Sequence, residues 1–239
     1  MMLQLQSLHA RLGDRTVLSD ICITVGAGEF VGLVGPNGSG KSTLLRCIAG
    51  TIVPSAGQII VGELDQAESR EAAKALVGYC VDSNALPDEL TGRQCLELIA
   101  KARATDLAAT SALIESLAFA PWLDRYVGEF SAGTRQKLAI LIALVGDPPV
   151  LLFDESLNGL DPASSVAVKD HLIGLVRNVG RSVVLATHGI DAAAEVFDRL
   201  VLLNEGRCVG TWDREGLAIL RGQGSLERAL AKYLTAKPD

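Results

Sequence analysis

The sequence predicts an α/β protein with a parallel sheet and an all-helical insertion. Three observations carry this. Short apolar strands alternate with helical segments in the second half of the chain. Residues 88–145 hold no convincing strand. A glycine-rich stretch, "GLVGPNGSGKSTLL", stands between a predicted strand and a predicted helix.

The elements follow in order. "LQLQSLH" alternates polar and apolar residues, and "VLSDICITV" places Ile21, Ile23 and Val25 on one face at period two. "GEFVGLVG" is a short strand running into glycines, and "KSTLLRCIAG" is a helix that stops at Gly50. "GQIIVGE" and "ALVGYCV" are two further strands, bounded by Gly57 and by Asp82. "TGRQCLELIAKARA", "DLAATSALIESLAF" and "TRQKLAILIALVG" then read as helices, with Thr91 and Asp106 as N-caps. The strands "PVLLF", "SVVLAT" and "RLVLLN" follow, separated by helical segments at 162–179 and 190–198. Apolar strands alternating with helices give a parallel sheet covered on both faces. The tail, "DREGLAIL" and "SLERALAKYLT", is two short helices split by "RGQGS".

Bulk properties narrow the function. The chain has 239 residues, 49% hydrophobic and 21% charged, enough for a substantial core. A net charge of −6 argues against broad binding to nucleic acid, and none is expected as a partner. Cys22, Cys47, Cys80, Cys95 and Cys208 show no CxxC spacing and read as reduced core thiols. The N-terminus "MMLQLQSLHARLGDR" lacks the apolar region of a signal peptide. The apolar run "LAILIALVGDPPVLLF" is cut by Asp147-Pro148-Pro149 and falls short of a membrane span.

Two stretches carry chemistry. In Gly35-x4-Gly40-Lys41-Ser42 the glycines free the backbone to turn successive N–H groups inward around a phosphate chain, on a helix N-terminus. The strand–helix context is the one a phosphate-binding loop requires, which implies a nucleoside triphosphate with Mg²⁺. Gly35, Pro36, Asn37, Gly38, Ser39, Gly40, Lys41, Ser42 and Thr43 are the binding residues. Lys41 would reach the β- and γ-phosphates, Ser42 would ligate Mg²⁺, and Thr43 would lie on the α-phosphate side. The second stretch is "VLLFDE". Ligands in such sheets sit at the C-terminal ends of strands, so Asp154 would hold Mg²⁺ through water. Glu155, one residue on, would polarise the attacking water.

Beside these stand "FSAGTRQKL" at 130–138, "SLNGLDP" at 156–162 and "LATH" at 185–188. Together, in this order and over about residues 3–210, they resemble the nucleotide-binding subunit of ABC transporters. The resemblance implies a P-loop NTPase fold: a RecA-like core, an antiparallel β subdomain and an α-helical signature subdomain. The divisions would fall at about 1–87 (β subdomain and loop part of the core), 88–145 (helical), 146–210 (rest of the core) and 211–239 (helical tail). It implies ATP hydrolysis, with Lys41, Glu155 and His188 catalytic, His188 contacting the γ-phosphate. Ser131, Ala132 and Gly133, in a variant of the family's LSGGQ signature, would serve ATP bound on a second copy of the chain. Two ATPs would lie between head-to-tail subunits, with Asp161 at their interface. His9 and His171 are expected on the surface.

The expected role is the ATPase of a membrane exporter, on the cytoplasmic face of the cell membrane, beside separately encoded permease subunits. The tail supports export, since "SLERALAKYLT" resembles the ending of ABC-2-type export ATPases. The alternative is a soluble ABC ATPase of iron–sulfur assembly or cell-division type. A nucleotide switch without turnover is disfavoured by the intact set Lys41, Asp154, Glu155 and His188.

Two positions depart from the family pattern. Leu12 stands where an aromatic residue usually stacks on adenine, so adenine selectivity is expected to be weak. Asp82 stands where glutamine usually meets Mg²⁺ and the membrane partner. A carboxylate there could still meet Mg²⁺ through water but adds negative charge near the triphosphate. Asp82→Gln is therefore expected to keep or raise the ATPase rate, measured as phosphate release. Complete loss of activity would give the aspartate a role of its own.

Overall fold

The computed structural model describes residues 1–188, 194–222 and 225–235. Its strands form two sheets. In the first, β1 (Leu3–Leu12) lies between β2 (Arg15–Val25) and β4 (Ala56–Val61), and β5 (Leu64–Asp65) adds an edge, all antiparallel. Strand β1 buries Leu3 and Leu5, then Leu8 and Ala10, so its alternation changes phase midway. The register shifts between Leu5 and Leu8, and Ser7 there takes φ 42°. One extra residue moves the next side chains to the opposite face, which is how a bulge keeps both apolar pairs buried in a bending strand.

The second sheet contains β3 (Phe30–Val34), β6 (Val77–Cys80), β7 (Val150–Asp154), β8 (Ser182–Thr187), β9 (Arg199–Asn204) and β10 (Arg207–Asp213), in the order β10-β9-β3-β8-β7-β6. All pairings are parallel except β10 on β9. Every residue of β3 and β8 is buried, as is Val150 to Phe153, as continuous apolar strands require when both sheet faces are covered. Strand β10 is not anticipated by pattern: glycine and the polar residues of "RCVGTWD" hide it. It ends at Asp213, so the two tail helices, α7 (Arg214–Gly222) and α8 (Leu226–Thr235), begin there and not at 211. Tyr233 closes the tail onto the sheet edge, its ring 4.9 Å from that of Trp212.

Helix α1 (Lys41–Ile48) ends before Gly50, at φ 69°. After α2 (Arg70–Ala75) and β6, the stretch from 83 to 144 is helical. Thr91 caps α3 (Gly92–Ala102) through a reciprocal box: its hydroxyl accepts from the Gln94 N–H at 3.2 Å, and Gln94 Oε1 accepts from the Thr91 N–H at 2.9 Å. Asp106 does not cap α4 (Ala108–Ser116) as expected. The helix starts one residue later than a cap at Asp106 would place it, and its carboxylate accepts from the Ala108 N–H at 2.9 Å in the preceding turn. Helix α5 (Ala132–Leu144) is buried on all sides from Leu138 to Leu144. Phe130, just before it, packs edge-on against Phe119 and Trp122. Helix α6 (Pro162–Gly174) runs on as one π-turn to Val179. Of the expected helix at 190–198, residues 189–193 lie outside the described residues, and Ala194–Val196 form a 3₁₀ turn. Residues 223–224 of the tail's expected break lie outside them too.

Two side-chain expectations are corrected. His9 and His171 are half-buried rather than on the surface. Burial lowers the His171 pKa against the pull of Asp147. Cys47, Cys80 and Cys95 are buried as expected, but Cys22 is exposed and Cys208 half-exposed; all five are free. Burial pushes the Cys80 thiol up to about 12 and Cys47 to about 11, which keeps both unreactive.

Helix α5 meets the sheet through β6, and a glycine permits the approach. A Cβ added at Gly78 would lie 2.1 Å from the Ala143 carbonyl oxygen and 2.7 Å from Pro148 Cγ. Gly78→Ala is expected to cost about 1–3 kcal/mol in urea unfolding, because backbone must move to admit the methyl. Unchanged stability would show that α5 does not need this contact.

Candidate nucleotide site

The parallel register of the second sheet brings three strand ends level. Val34 at the end of β3 pairs with Thr187 of β8, and Asp154 at the end of β7 pairs with Ala186. Strand β8 lies between β3 and β7. The residues that follow these ends, Gly35 onward, His188 and Glu155, therefore meet along one edge, where open α/β sheets bind ligands.

The glycine loop depends on space as much as on torsion. At Gly35, φ is 153°, and a Cβ there would sit 2.2 Å from the Leu203 carbonyl oxygen. At Gly40, φ is 106°, and a Cβ would press on Leu18 at 2.7 Å. Only glycine lets the loop lie against β9 and β2 while it turns into α1. Lys41 is buried at the first position of that helix, and its Nζ donates to the Gly35 carbonyl at 2.8 Å and the Pro36 carbonyl at 3.2 Å. Burial lowers the Lys41 pKa, and Glu155 and Asp154 pull it back up.

Glu155 is held in an unusual backbone state. Its φ is 51°, in the left-handed region that costs a residue with a β-carbon about 1–3 kcal/mol. Its N–H donates to the Ala186 carbonyl at 2.9 Å. Its Oε2 accepts from Asn158 Nδ2 at 2.8 Å and lies 2.9 Å from His188 Nδ1. Its Oε1 is 4.0 Å from Lys41 Nζ. Beside it, Asp154 Oδ1 is buried without a hydrogen-bond partner, as is Ser39 Oγ. A buried carboxylate oxygen left unpaired is costly unless something charged meets it.

A cavity of about 430 Å³ gathers Leu12, Asn37, Gly38, Gly40, Lys41, Ser42, Thr43 and Glu155, together with Arg15 and Val17. A second, of about 460 Å³, continues along Pro36, Asn37 and Ser39 to Glu205. Most of these lining residues, Leu12 included, are ones the sequence singled out; it missed Arg15 and Val17 in the wall and Asn158 as a partner of Glu155. Asn158 was legible only as the residue three after Glu155 in the "SLNGLDP" loop.

The remaining predicted residues stand elsewhere. Ser131 caps α5, its hydroxyl accepting from the Thr134 N–H at 3.2 Å, and Ala132 and Gly133 open the helix. They are not among the residues lining either cavity; Gly133 lies beside Gly159, its Cβ position 3.3 Å from that carbonyl oxygen. Asp161 caps α6 through the Ser164 N–H at 2.9 Å and hydroxyl at 2.6 Å, and meets Lys137 of α5 at 3.4 Å. The Ser164 hydrogen bonds hold its carboxyl down at about 2. Asp82 is exposed and caps the turn Ser83–Ala85, its Oδ1 accepting from the Asn84 N–H at 2.9 Å. Arg135 of α5 joins Asp88 at 2.6 Å, which ties the start of α5 to the segment after Asp82.

Comparison with known proteins identifies the family. A family profile described as ABC transporter matches residues 18–158. ATP-binding cassette sub-family A member 7 of Mus musculus is 38% identical over 207 residues, 83% of this chain. The chain spans only about 10% of that relative's length. The aliphatic sulfonates import ATP-binding protein SsuB 2 of Pseudomonas aeruginosa is 34% identical, over 85% of this chain and 72% of that protein. The Nod factor export ATP-binding protein I of a Rhizobium species is 35% identical, over 86% of this chain and 68% of that protein. Among solved structures, an ATP-binding subunit of an ABC transporter superposes with a TM-score of 0.88 at 28% identity, covering 98% of this chain and 99% of the other. With its P-loop NTPase fold and these relatives, the chain belongs to the ABC transporter family as an ATP-binding cassette.

Proposed function

We propose that the chain hydrolyses ATP with Mg²⁺ and that this drives a membrane transporter through a head-to-tail dimer of cassettes. The observation that carries the reading is the meeting of the glycine loop, the unpaired Asp154 oxygen and the constrained Glu155 at the level ends of β3, β7 and β8.

The loop N–H groups and the start of α1 bind the triphosphate, and Lys41 neutralises its β- and γ-oxygens. The ammonium now held by the Gly35 and Pro36 carbonyls is within reach of a phosphate at the same place. A divalent cation fits the residues present: Ser42 and Asp154 would hold it, and few protein ligands suffice because Mg²⁺ keeps several waters. Bound there, Mg²⁺ supplies charge neutralisation on the triphosphate oxygens. Glu155 orients a water and takes its proton as the water oxygen attacks the γ-phosphorus. The bond to the bridging oxygen breaks and ADP leaves with that electron pair. Asn158 and His188 fix the Glu155 carboxylate, so it need not reorganise during the reaction.

The signature residues Ser131, Ala132 and Gly133 stand away from the chain's own loop, at a helix N-terminus suited to phosphate. A second copy placing them over the γ-phosphate completes the site, with the loop around Asp161 between the copies. Asp161 and Lys137 then link that interface to α5 within one chain. Among the described residues no helix is long and apolar enough to cross a membrane. Separate permease subunits at the cytoplasmic face of the membrane would receive the motion. We favour export, on the tail segment "SLERALAKYLT"; the relatives above include both an import and an export protein.

Glu155→Gln tests the assignment. It keeps the shape and removes the base, so ATP binding is expected to persist while turnover falls about 10²–10⁴-fold. Gel filtration with ATP should then show a dimer. Hydrolysis at the wild-type rate would falsify the role given to Glu155.

A further inference from the structure

We propose that Arg15, across the hairpin from Leu12, supplies the planar face on which the nucleotide base stacks. This rests on the nucleotide reading above and assigns the base end of that same site.

The cavity of about 430 Å³ has two chemically distinct ends. Lys41, Ser42 and Thr43 form one, at the start of α1, where the phosphates belong. Leu12 and Arg15 line the other from the β1–β2 hairpin, while Val17, further along β2, lies against Gly40 of the loop. A triphosphate seated at the first end leaves its base at the second.

Leu12 and Arg15 are direct partners across the tight turn Gly13-Asp14, with Gly13 at φ 59°. Directly opposed residues of an antiparallel pair project to the same face of the sheet. The hairpin therefore offers the base an apolar branched chain and a guanidinium side by side. Leucine has no π-face. A guanidinium is planar, weakly hydrated for a cation, and stacks on aromatic rings, whereas a lysine ammonium is a compact point charge. Arg15 is exposed, and among the described residues no hydrogen bond or ion pair engages its guanidinium. By contrast Arg11, one position before Leu12, is held by the Asp14 carbonyl at 3.1 Å. Every base has a π-face, so this arrangement binds purines without selecting among them.

The test is calorimetric binding of ATP, GTP and inorganic tripolyphosphate, each with Mg²⁺, to the wild-type chain and to Arg15→Ala, Arg15→Lys and Arg15→Tyr. Stacking predicts that Arg15→Ala weakens ATP and GTP about tenfold and leaves tripolyphosphate unchanged. Arg15→Tyr should recover nucleotide affinity, and Arg15→Lys should not. An equal loss of tripolyphosphate binding, full rescue by lysine, or no effect of Arg15→Ala on ATP would each overturn the proposal. Unchanged tripolyphosphate binding also shows that a variant is folded at the loop. A wild-type chain that binds none of the three would instead refute the nucleotide reading on which the proposal stands.

Discussion

The hydrogen bond from the Glu155 N–H to the Ala186 carbonyl fixes the site's geometry. It carries the β7–β8 pairing one residue past the last strand pair, into a backbone state that glutamate does not choose freely. Everything around it has to agree. Strand β8 must lie between β7 and β3, or the carboxylates would not face the glycine loop. The side chain is then held from two sides, by Asn158 and His188, and faces Lys41. The strain at Glu155 is tolerable because the fully buried strands below it cannot shift.

The same segment links the site to the rest of the chain. The loop from Ser156 to Asp161 passes beside Gly133 and ends as the cap of α6. Lys137 joins Asp161, and Arg135 joins Asp88, so charged contacts near its N-terminus tie α5 to the loop after Glu155 and to the segment after Asp82. Its other half is buried apolar surface. In the proposed dimer, a helix anchored deep in the core with a polar front would present Ser131 to Gly133 rigidly.

Much of this was legible in the sequence where the chemistry requires particular residues at fixed spacing. The glycine loop could be read because only glycine admits its torsions and close contacts. The place of "VLLFDE" could be read because a continuous apolar run makes a buried parallel strand, and two carboxylates at its end then stand beside such a loop. Thr91 could be read because its partner Gln94 lies three residues on. What escaped depends on tertiary register. Arg15 joins the cavity wall only because the turn at Gly13 sets it opposite Leu12. Strand β10 has no apolar alternation and exists because β9 offers it an edge. His171 is half-buried because of what packs on α6, which its own helix does not reveal. The phase change at Ser7 escaped a reading of "LQLQSLH" as plain alternation, because the bulge in β1 shows only in the pairing.

If the loop and the β7 carboxylates form one nucleotide site, the buried Asp154 oxygen is reserved for a divalent cation. The affinity for ATP with and without Mg²⁺, in the wild-type chain and in Asp154→Asn, decides the matter. Mg²⁺ should tighten ATP binding in the wild type. Asp154→Asn should remove most of that gain while metal-free ATP binds as well as before. An equal gain from Mg²⁺ in both proteins would refute the shared site.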